Sequence, residues 1–234
     1  MDIPMQAEHD NALLNIGIYT VPEAARLTNV SQGKIRRRIK GCDSRKGEVR
    51  RHSEAVWTGS IRPVNGKIAL GFLHLMELRF VDAFLRAGVS WKTMRQAHQR
   101  AREEIRADHP FRTNRFATDG CRIFLEPARE NEEALLDLIS SQVEFQRIVA
   151  PFLTQLDFME DALARWWPMG RNRNVVVDPG RNLGRPTAAK SGVPTEVLAR
   201  SVKANESIGT VALWYEVLPE EVRDAVEFEE SLAA

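Results

Sequence analysis

Cysteine is scarce: Cys42 and Cys121 are the only two among 234 residues. They are too few and too far apart for a paired zinc site or a disulfide framework, so two reduced thiols are expected and no metal. Histidine is also sparse, with five in the chain. His74 lies three residues before Glu77, on one face of a helix, but no third ligand accompanies them, and His52, His98 and His109 stand alone. Glu220-Glu221 and Glu229-Glu230 are sequence neighbours, which a helix points apart. Gly180-Arg181-Asn182-Leu183-Gly184 lacks the following Lys-Ser/Thr of a phosphate loop. Together these absences argue against an enzyme, and no cofactor is expected. No apolar run approaches the roughly 20 residues needed to span a bilayer. The opening Met1-Asp2-Ile3-Pro4-Met5 lacks the basic-then-apolar order of a signal peptide. A cytoplasmic protein without membrane contact is expected.

The apolar share of 43% and charged share of 28% are those of an ordinary globular chain. The net charge of +1 conceals an asymmetry. Residues 1–125 hold 22 Lys/Arg against 13 Asp/Glu, a surplus of nine positive charges, and residues 126–234 hold 11 against 19, a surplus of eight negative ones. The halves therefore face different partners. Clustered Lys and Arg suit a polyanion, because they release condensed counterions from a phosphate backbone.

Helix signals begin at Thr20-Val21-Pro22-Glu23, where Thr20 caps, Glu23 reaches back and Pro22 is tolerated in the first turn. Ala24, Ala25 and Leu27 form the inner side of a short helix. Asn29 suits a left-handed turn residue, and Ser31 caps a second helix with Ile35 and Ile39 inward and Gly41 at its end. A charged loop is expected over about 42–54, then two short extended runs, 56–58 and 67–70, as a wing around Asn65-Gly66. A helix over 72–86 carries the stripe Phe72, Leu75, Leu78 and Leu85, and Ser90 caps another through about Arg106. A hairpin is expected around Asp119-Gly120. Amphipathic helices are expected over 130–166, interrupted at Pro151. The tail has an extended Val175-Val176-Val177, a Gly/Pro-rich loop, and helices near 194–204, 207–215 and 219–231.

Two windows share one frame. Val21–Gly41 laid on Ile208–Phe228 matches Ala25 with Ala212, Val30 with Val217, and Ile35 with Val222. A helix-turn-helix needs a small residue where its helices cross and apolar residues after the turn and inside the second helix. Both windows meet this. The second helix of the first carries Lys34, Arg36, Arg37, Arg38 and Lys40. The other carries Glu220, Glu221, Asp224 and Glu227, with Arg223 its only basic residue. Carboxylates there oppose a phosphate backbone, which assigns DNA to the first frame and a protein partner to the second. The plain alternatives are a solvated basic face and a three-helix packing unit.

The N-terminal part resembles MerR-like winged helix-turn-helix domains. The resemblance rests on Tyr19-Thr20-Val21-Pro22-Glu23-Ala24-Ala25-Arg26-Leu27, Val30-Ser31, Ile35-Arg36, and Glu77-Leu78-Arg79-Phe80 through Leu85-Arg86-Ala87-Gly88-Val89-Ser90. Asn29 stands where that family commonly has glycine, and the loop before the wing is long. The tail resembles the small antitoxin domain catalogued as domain of unknown function 433. Its matching residues are Asp178-Pro179, Gly184-Arg185-Pro186-Thr187, Ser191-Gly192-Val193-Pro194-Thr195-Glu196-Val197-Leu198, Asn205-Glu206-Ser207-Ile208, Trp214-Tyr215 and Pro219-Glu220-Glu221-Val222-Arg223-Asp224-Ala225-Val226. The combination is similar to a VapB-type antitoxin whose toxin is a PIN-domain ribonuclease. That resemblance implies toxin neutralisation and operon repression.

The expected fold is mainly α with short β elements. It comprises a winged helix-turn-helix over 18–125, a helical connector or dimerisation region over 126–170, and an antitoxin-type three-helix domain over 171–234. A homodimer on double-stranded operator DNA is expected, because two helices in successive major grooves require two-fold placement. Gln32, Gly33, Arg36 and Arg37 are candidates for base reading, and Lys34, Arg38, Lys40, Arg50 and Arg51 for phosphate contact. Arg181 and Arg185, with Arg171 and Arg173 after them, are candidates to reach the toxin's acidic cluster with bidentate contacts. Trp166-Trp167 and Trp214-Tyr215 are candidate aromatic anchors, with core packing the competing role for at least one Trp in each pair. The alternative function is a MerR-like transcriptional regulator with a sensing or partner-binding C-terminal region, its Trp-rich stretch at 152–169 lining an apolar ligand pocket.

Overall fold

The computed structural model describes residues 17–46, 49–53, 68–106, 110, 142–159, 162–205 and 207–233. The expected extended run at 56–58, the hairpin around Asp119-Gly120 and the helical expectation over 130–141 lie outside these residues. Among the described ones the chain is mainly α-helical with short two-stranded sheets. No described helix is long and apolar enough to cross a membrane. Contacts divide the chain into two compact units. One is Tyr19–Leu153 with Glu160–Leu163, and the other is Met1–Ile18, Thr154–Met159 and Ala164–Ala234.

In the first unit, β1 (Tyr19–Thr20) leads into α1 (Val21–Thr28) and, through a tight turn, α2 (Gln32–Lys40). A hairpin of β2 (Cys42–Lys46) and β3 (Val49–Ser53) follows, with Arg45 opposite Arg50 and Ser44 opposite Arg51. It corrects the expected charged loop. Val49 is the only aliphatic residue in its two strands, so no period-two apolar pattern marked them. β4 (Ala69–Leu70) was expected as the second wing strand but pairs antiparallel with β1, Tyr19 facing Leu70. Next come α3 (Phe72–Arg86), α4 (Trp91–Ile105) and α5 (Gln142–Leu153), the last with Pro151 near its end.

α3 is the centre of this unit. Phe72, Leu75, Leu78, Phe80, Val81 and Phe84 are all buried, and so are His74, Glu77 and Asp82. A helix covered on nearly all sides is a core helix rather than an amphipathic surface one. Each fully buried Phe or Leu contributes about 1.5–3 kcal/mol. α1, α4 and α5 all pack on α3. α4 offers it the stripe Met94, Ala97 and Ala101, with buried His98 beside them. His98 Nε2 lies 3.6 Å from Glu77 Oε1, so this histidine meets a carboxylate that its sequence position did not reveal.

The stretch 156–166 corrects another expectation. Leu156–Met159 (β5) and Ala162–Trp166 (β6) are strands where a helix was expected. Leu153, Leu156, Leu163 and Trp166 have helix-like spacing, but their neighbours have distant partners. Trp166 exchanges two backbone hydrogen bonds with Val177, of 2.8 and 3.0 Å. Arg165 pairs with Asp178 at 2.9 Å, and Trp167 Nε1 donates to Asp157 at 2.7 Å. β7 (Val175–Val176) pairs antiparallel with β8 (Thr187–Ala188). Three helices complete the unit: α6 (Thr195–Asn205), α7 (Ile208–Tyr215) and α8 (Pro219–Ser231). Their shared core is Ala188, Leu198, Val211, Ala212, Val217, Val222 and Ala225.

Candidate nucleic-acid and protein interfaces

The first frame is built by local signals. Thr20 N–H donates to Glu23 Oε2 at 2.8 Å, while Thr20 Oγ1 accepts from Glu23 N–H at 3.4 Å, a reciprocal cap at the start of α1. Asn29 closes α1 in the left-handed region, at φ 54° and ψ 34°. Ser31 Oγ accepts from Lys34 N–H and starts α2. Ile35 is buried and Ile39 half-buried, which anchors the inner face. The outer face carries Gln32, Gly33, Lys34, Arg36, Arg37 and Lys40, all exposed. Arg36 donates to Gln32 Oε1 at 3.0 Å, so these two base-reading candidates form one polar unit. Space around Gly33 is open. Arg50 and Arg51 lie on β3.

Arg38 is placed differently from the other basic residues. It is 4% exposed and pairs with Asp82 of α3 at 2.9 Å. Its guanidinium also stands 5.8 Å from the Trp91 ring centroid. Asp82 gives its second oxygen to Arg86 Nε at 2.7 Å, and Arg86 Nη2 donates to the Asn29 carbonyl at 3.3 Å. Burial draws the Arg38 pKa below its ordinary value, opposed by its hydrogen bond to Asp82. The expectation that Arg38 contacts phosphate is corrected: this side chain fastens α2 to α3. One carboxylate therefore serves both the basic helix and the arginine that holds the turn.

The second frame has the same backbone plan with other surfaces. Glu216 closes α7 at φ 53° and ψ 41°, the counterpart of Asn29. Val217 and Val222 are buried like Val30 and Ile35, and Ala225 stands where Arg38 does. The carboxylates of α8 are not the uniform exposed face that the sequence suggested. Glu221 is buried, with Oε1 accepting from Lys190 N–H, Ser191 N–H and Ser191 Oγ at 3.0–3.2 Å and Oε2 accepting from Leu218 N–H at 3.3 Å. Asp224 accepts from Arg173 Nε at 2.8 Å, Asn174 N–H at 2.7 Å and Asn174 Nδ2 at 2.9 Å. Arg173 also pairs with Glu227, which with Asp224 raises its pKa above the ordinary value. The positions corresponding to exposed Lys34 and Arg37 are thus covered by the chain's own loop. Only Glu220 and Glu227 of the four acidic residues are exposed.

α7 turns apolar side chains outward. Leu213 is 81% and Trp214 61% exposed, with exposed Tyr215 and Leu218 beside them in sequence. The Tyr215 hydroxyl lies 3.0 Å from Ser201 Oγ on α6, one turn from exposed Val197. Leu213, Leu218 and Val197 were not among the expected contact residues. The signal was present: Ile208–Tyr215 is apolar on every side, and a small three-helix unit cannot cover all faces of such a helix. The other aromatic pair is packed. Trp166 is buried with Nε1 3.4 Å from Gln155 Oε1, and Trp167 is half-buried against Asp157.

The candidate loop arginines differ in how firmly the chain holds them. Arg171 donates to the carbonyls of Thr154 and Leu156 and pairs with Asp157 at 2.9 Å, and Arg173 is held by α8. Arg171, Arg181 and Arg185 are all exposed, and Arg181 too has intrachain contacts, Nη1 donating to the Ala189 carbonyl at 3.0 Å and Nε lying 3.6 Å from Asp178 Oδ2. Between Arg181 and Arg185, the residues Asn182 and Leu183 adopt positive φ, of 45° and 54°, and Leu183 points into solvent.

No protein-family model matches the chain. Over 225 residues it is 27% identical to the curated protein "Putative antitoxin VapB45" of Mycobacterium tuberculosis, covering 91% of this chain and 94% of that one. It also shares the fold of the crystal structure of Rv2018 from Mycobacterium tuberculosis, with a TM-score of 0.72, 24% identity, and coverage of 91% of this chain and 99% of the other. Among the described residues no group of three or more His, Cys, Asp or Glu is placed to hold a metal ion.

Proposed function

We propose that the chain is the antitoxin of a type II toxin–antitoxin pair, which neutralises a PIN-domain ribonuclease by direct binding and represses its own operon by binding operator DNA. The observation that supports this reading is the correspondence over 91% of the chain with the protein named "Putative antitoxin VapB45". The protein is cytoplasmic and acts as a homodimer. In the first unit, Gln32, Gly33, Arg36 and Arg37 read bases, while Lys34, Lys40, Arg50 and Arg51 contact phosphates. In the second, the toxin docks on Trp214 and Tyr215, joined by Leu213 and Leu218. Exposed aromatics beside aliphatics supply the desolvated centre that such interfaces need. Arg181 and Arg185, exposed on the 178–186 loop, reach towards the acidic cluster of the ribonuclease.

Co-expression with the adjacent reading frame tests the reading. A stable complex whose ribonuclease is silent is expected, and the complex should bind the DNA upstream of the pair. An antitoxin assignment is overturned if the neighbouring protein purifies alone and active in the presence of this chain.

A further inference from the structure

A cavity of about 360 Å³ lies in the first unit beside the helix-turn-helix. That volume falls in the roughly 300–1,000 Å³ range of small-molecule sites. Its walls are of two kinds. Ala83 of α3 and Ile148 and Phe152 of α5 are apolar, and Arg79, Asp82 and Arg86 of α3 are charged, with Thr28 at the rim where α1 ends. Arg79 sits 5.1 Å from the centroid of the Phe152 ring, which orients its guanidinium. Asp82 already faces Arg38 and Arg86. The described wall therefore carries two guanidinium groups and one carboxylate, and a third guanidinium shares that carboxylate from outside.

We propose that this cavity binds an amphipathic organic anion, whose carboxylate or phosphate lies between Arg79 and Arg86 and whose apolar body rests on Ala83, Ile148 and Phe152. Planar guanidinium groups suit such heads because they donate two parallel hydrogen bonds. Burial lowers the Arg79 pKa to about 10, and its guanidinium stands on the cavity wall where an anionic head would meet it. Arg86 is the point of coupling. It holds Asp82 and the Asn29 carbonyl at the turn, and Asp82 in turn holds Arg38 of α2. An anion that takes Arg86 competes with both contacts and shifts the set of the basic helix. This last step rests on the proposed DNA binding; the site itself does not.

The probes are naphthoate and its uncharged counterpart naphthalenemethanol, titrated calorimetrically into the full chain. Naphthoate is expected to bind about tenfold or more tightly than the alcohol, the loss of one charge-assisted contact. Arg79→Met should bring naphthoate down to the level of the alcohol, and Ala83→Trp, which fills the cavity and keeps both arginines, should abolish binding. Melting curves establish that each variant folds; the comparison of the two probes needs no variant. Absence of naphthoate binding, equal binding of the alcohol, or binding that survives both folded variants overturns the site. A mobility shift on the DNA upstream of the coding frame then reads the coupling. Saturating naphthoate should change DNA affinity in the parent and not in Ala83→Trp, and an unchanged affinity overturns the coupling. Failure to shift DNA under any condition overturns the DNA reading, and calorimetry still decides the site.

Discussion

The two paired-helix frames, 21–41 and 208–228, differ in what covers the outer face of the second helix. In α2 that face is bare: Lys34, Arg37 and Lys40 are exposed and the inward Arg38 has its own carboxylate. In α8 the corresponding Glu221 and Asp224 are buried against the 173–174 and 190–191 backbone. The difference extends to the first helix. Leu27 of α1 is packed, while its counterpart Trp214 of α7 projects into solvent. One backbone plan thus presents opposite surfaces, a basic second helix in one unit and an apolar first helix in the other. Charge alone suggested that the second frame avoids DNA. Burial adds a second reason, since two positions on the outer side of its second helix, Glu221 and Asp224, are covered by the chain itself.

The largest effect is expected at the pair that only the first frame has. Asp82→Ala leaves Arg38 buried without its carboxylate and should cost about 3–5 kcal/mol, the usual penalty for removing one partner of a buried pair. Replacing Arg38 and Asp82 together by apolar residues should recover most of that loss, because Ala225 shows that this plan closes without a charge at the position. Urea unfolding of the two variants measures both values. A single variant as stable as the parent would remove the fastening role of Arg38. The next contrast compares one position in both frames. Leu27→Ala should cost about 2–5 kcal/mol. Trp214→Ala should stay within about 0.5 kcal/mol of the parent in stability, yet weaken the toxin complex by about 2 kcal/mol or more. Equal destabilisation by the two substitutions would show that α7 packs as α1 does and would cancel the proposed docking face.

Local signals made much of this legible. Thr20, Glu23, Asn29 and Ser31 are cap and turn residues whose chemistry acts within four positions, and all behave as their sequence context demanded. The three tail helices also follow from short-range pattern. Misread residues were those with distant partners. Arg38 looked like its neighbours until Asp82, 44 residues away, met it. Glu221 and Asp224 looked solvent-facing until the loop folded over them. The strands at 156–166 read as helix because Trp166 finds its hydrogen-bond partner at Val177. The hairpin at 42–53 gave no apolar alternation at all. Exposure of Trp214 was partly legible, since α7 is too apolar on all sides to be covered.

The smallest expected effect tests the bare face itself. Lys40 is exposed at the end of α2, and its proposed partner is a phosphate. Lys40→Ala should weaken binding to operator and unrelated DNA alike and reduce the slope of log affinity against log salt by about one. Arg37→Ala should instead narrow the gap between operator and unrelated DNA, because a guanidinium that reads a base edge discriminates by about 1–3 kcal/mol per contact. The second frame supplies the control. Glu220 is exposed at the place of Gly33, so Glu220→Ala removes a negative charge from a surface assigned to protein rather than DNA. It should leave the salt slope unchanged in a fluorescence titration. A slope that moves equally for Lys40→Ala and Glu220→Ala would mean that DNA senses only the total charge of the chain, and the division of labour between the two frames would lose its electrostatic support.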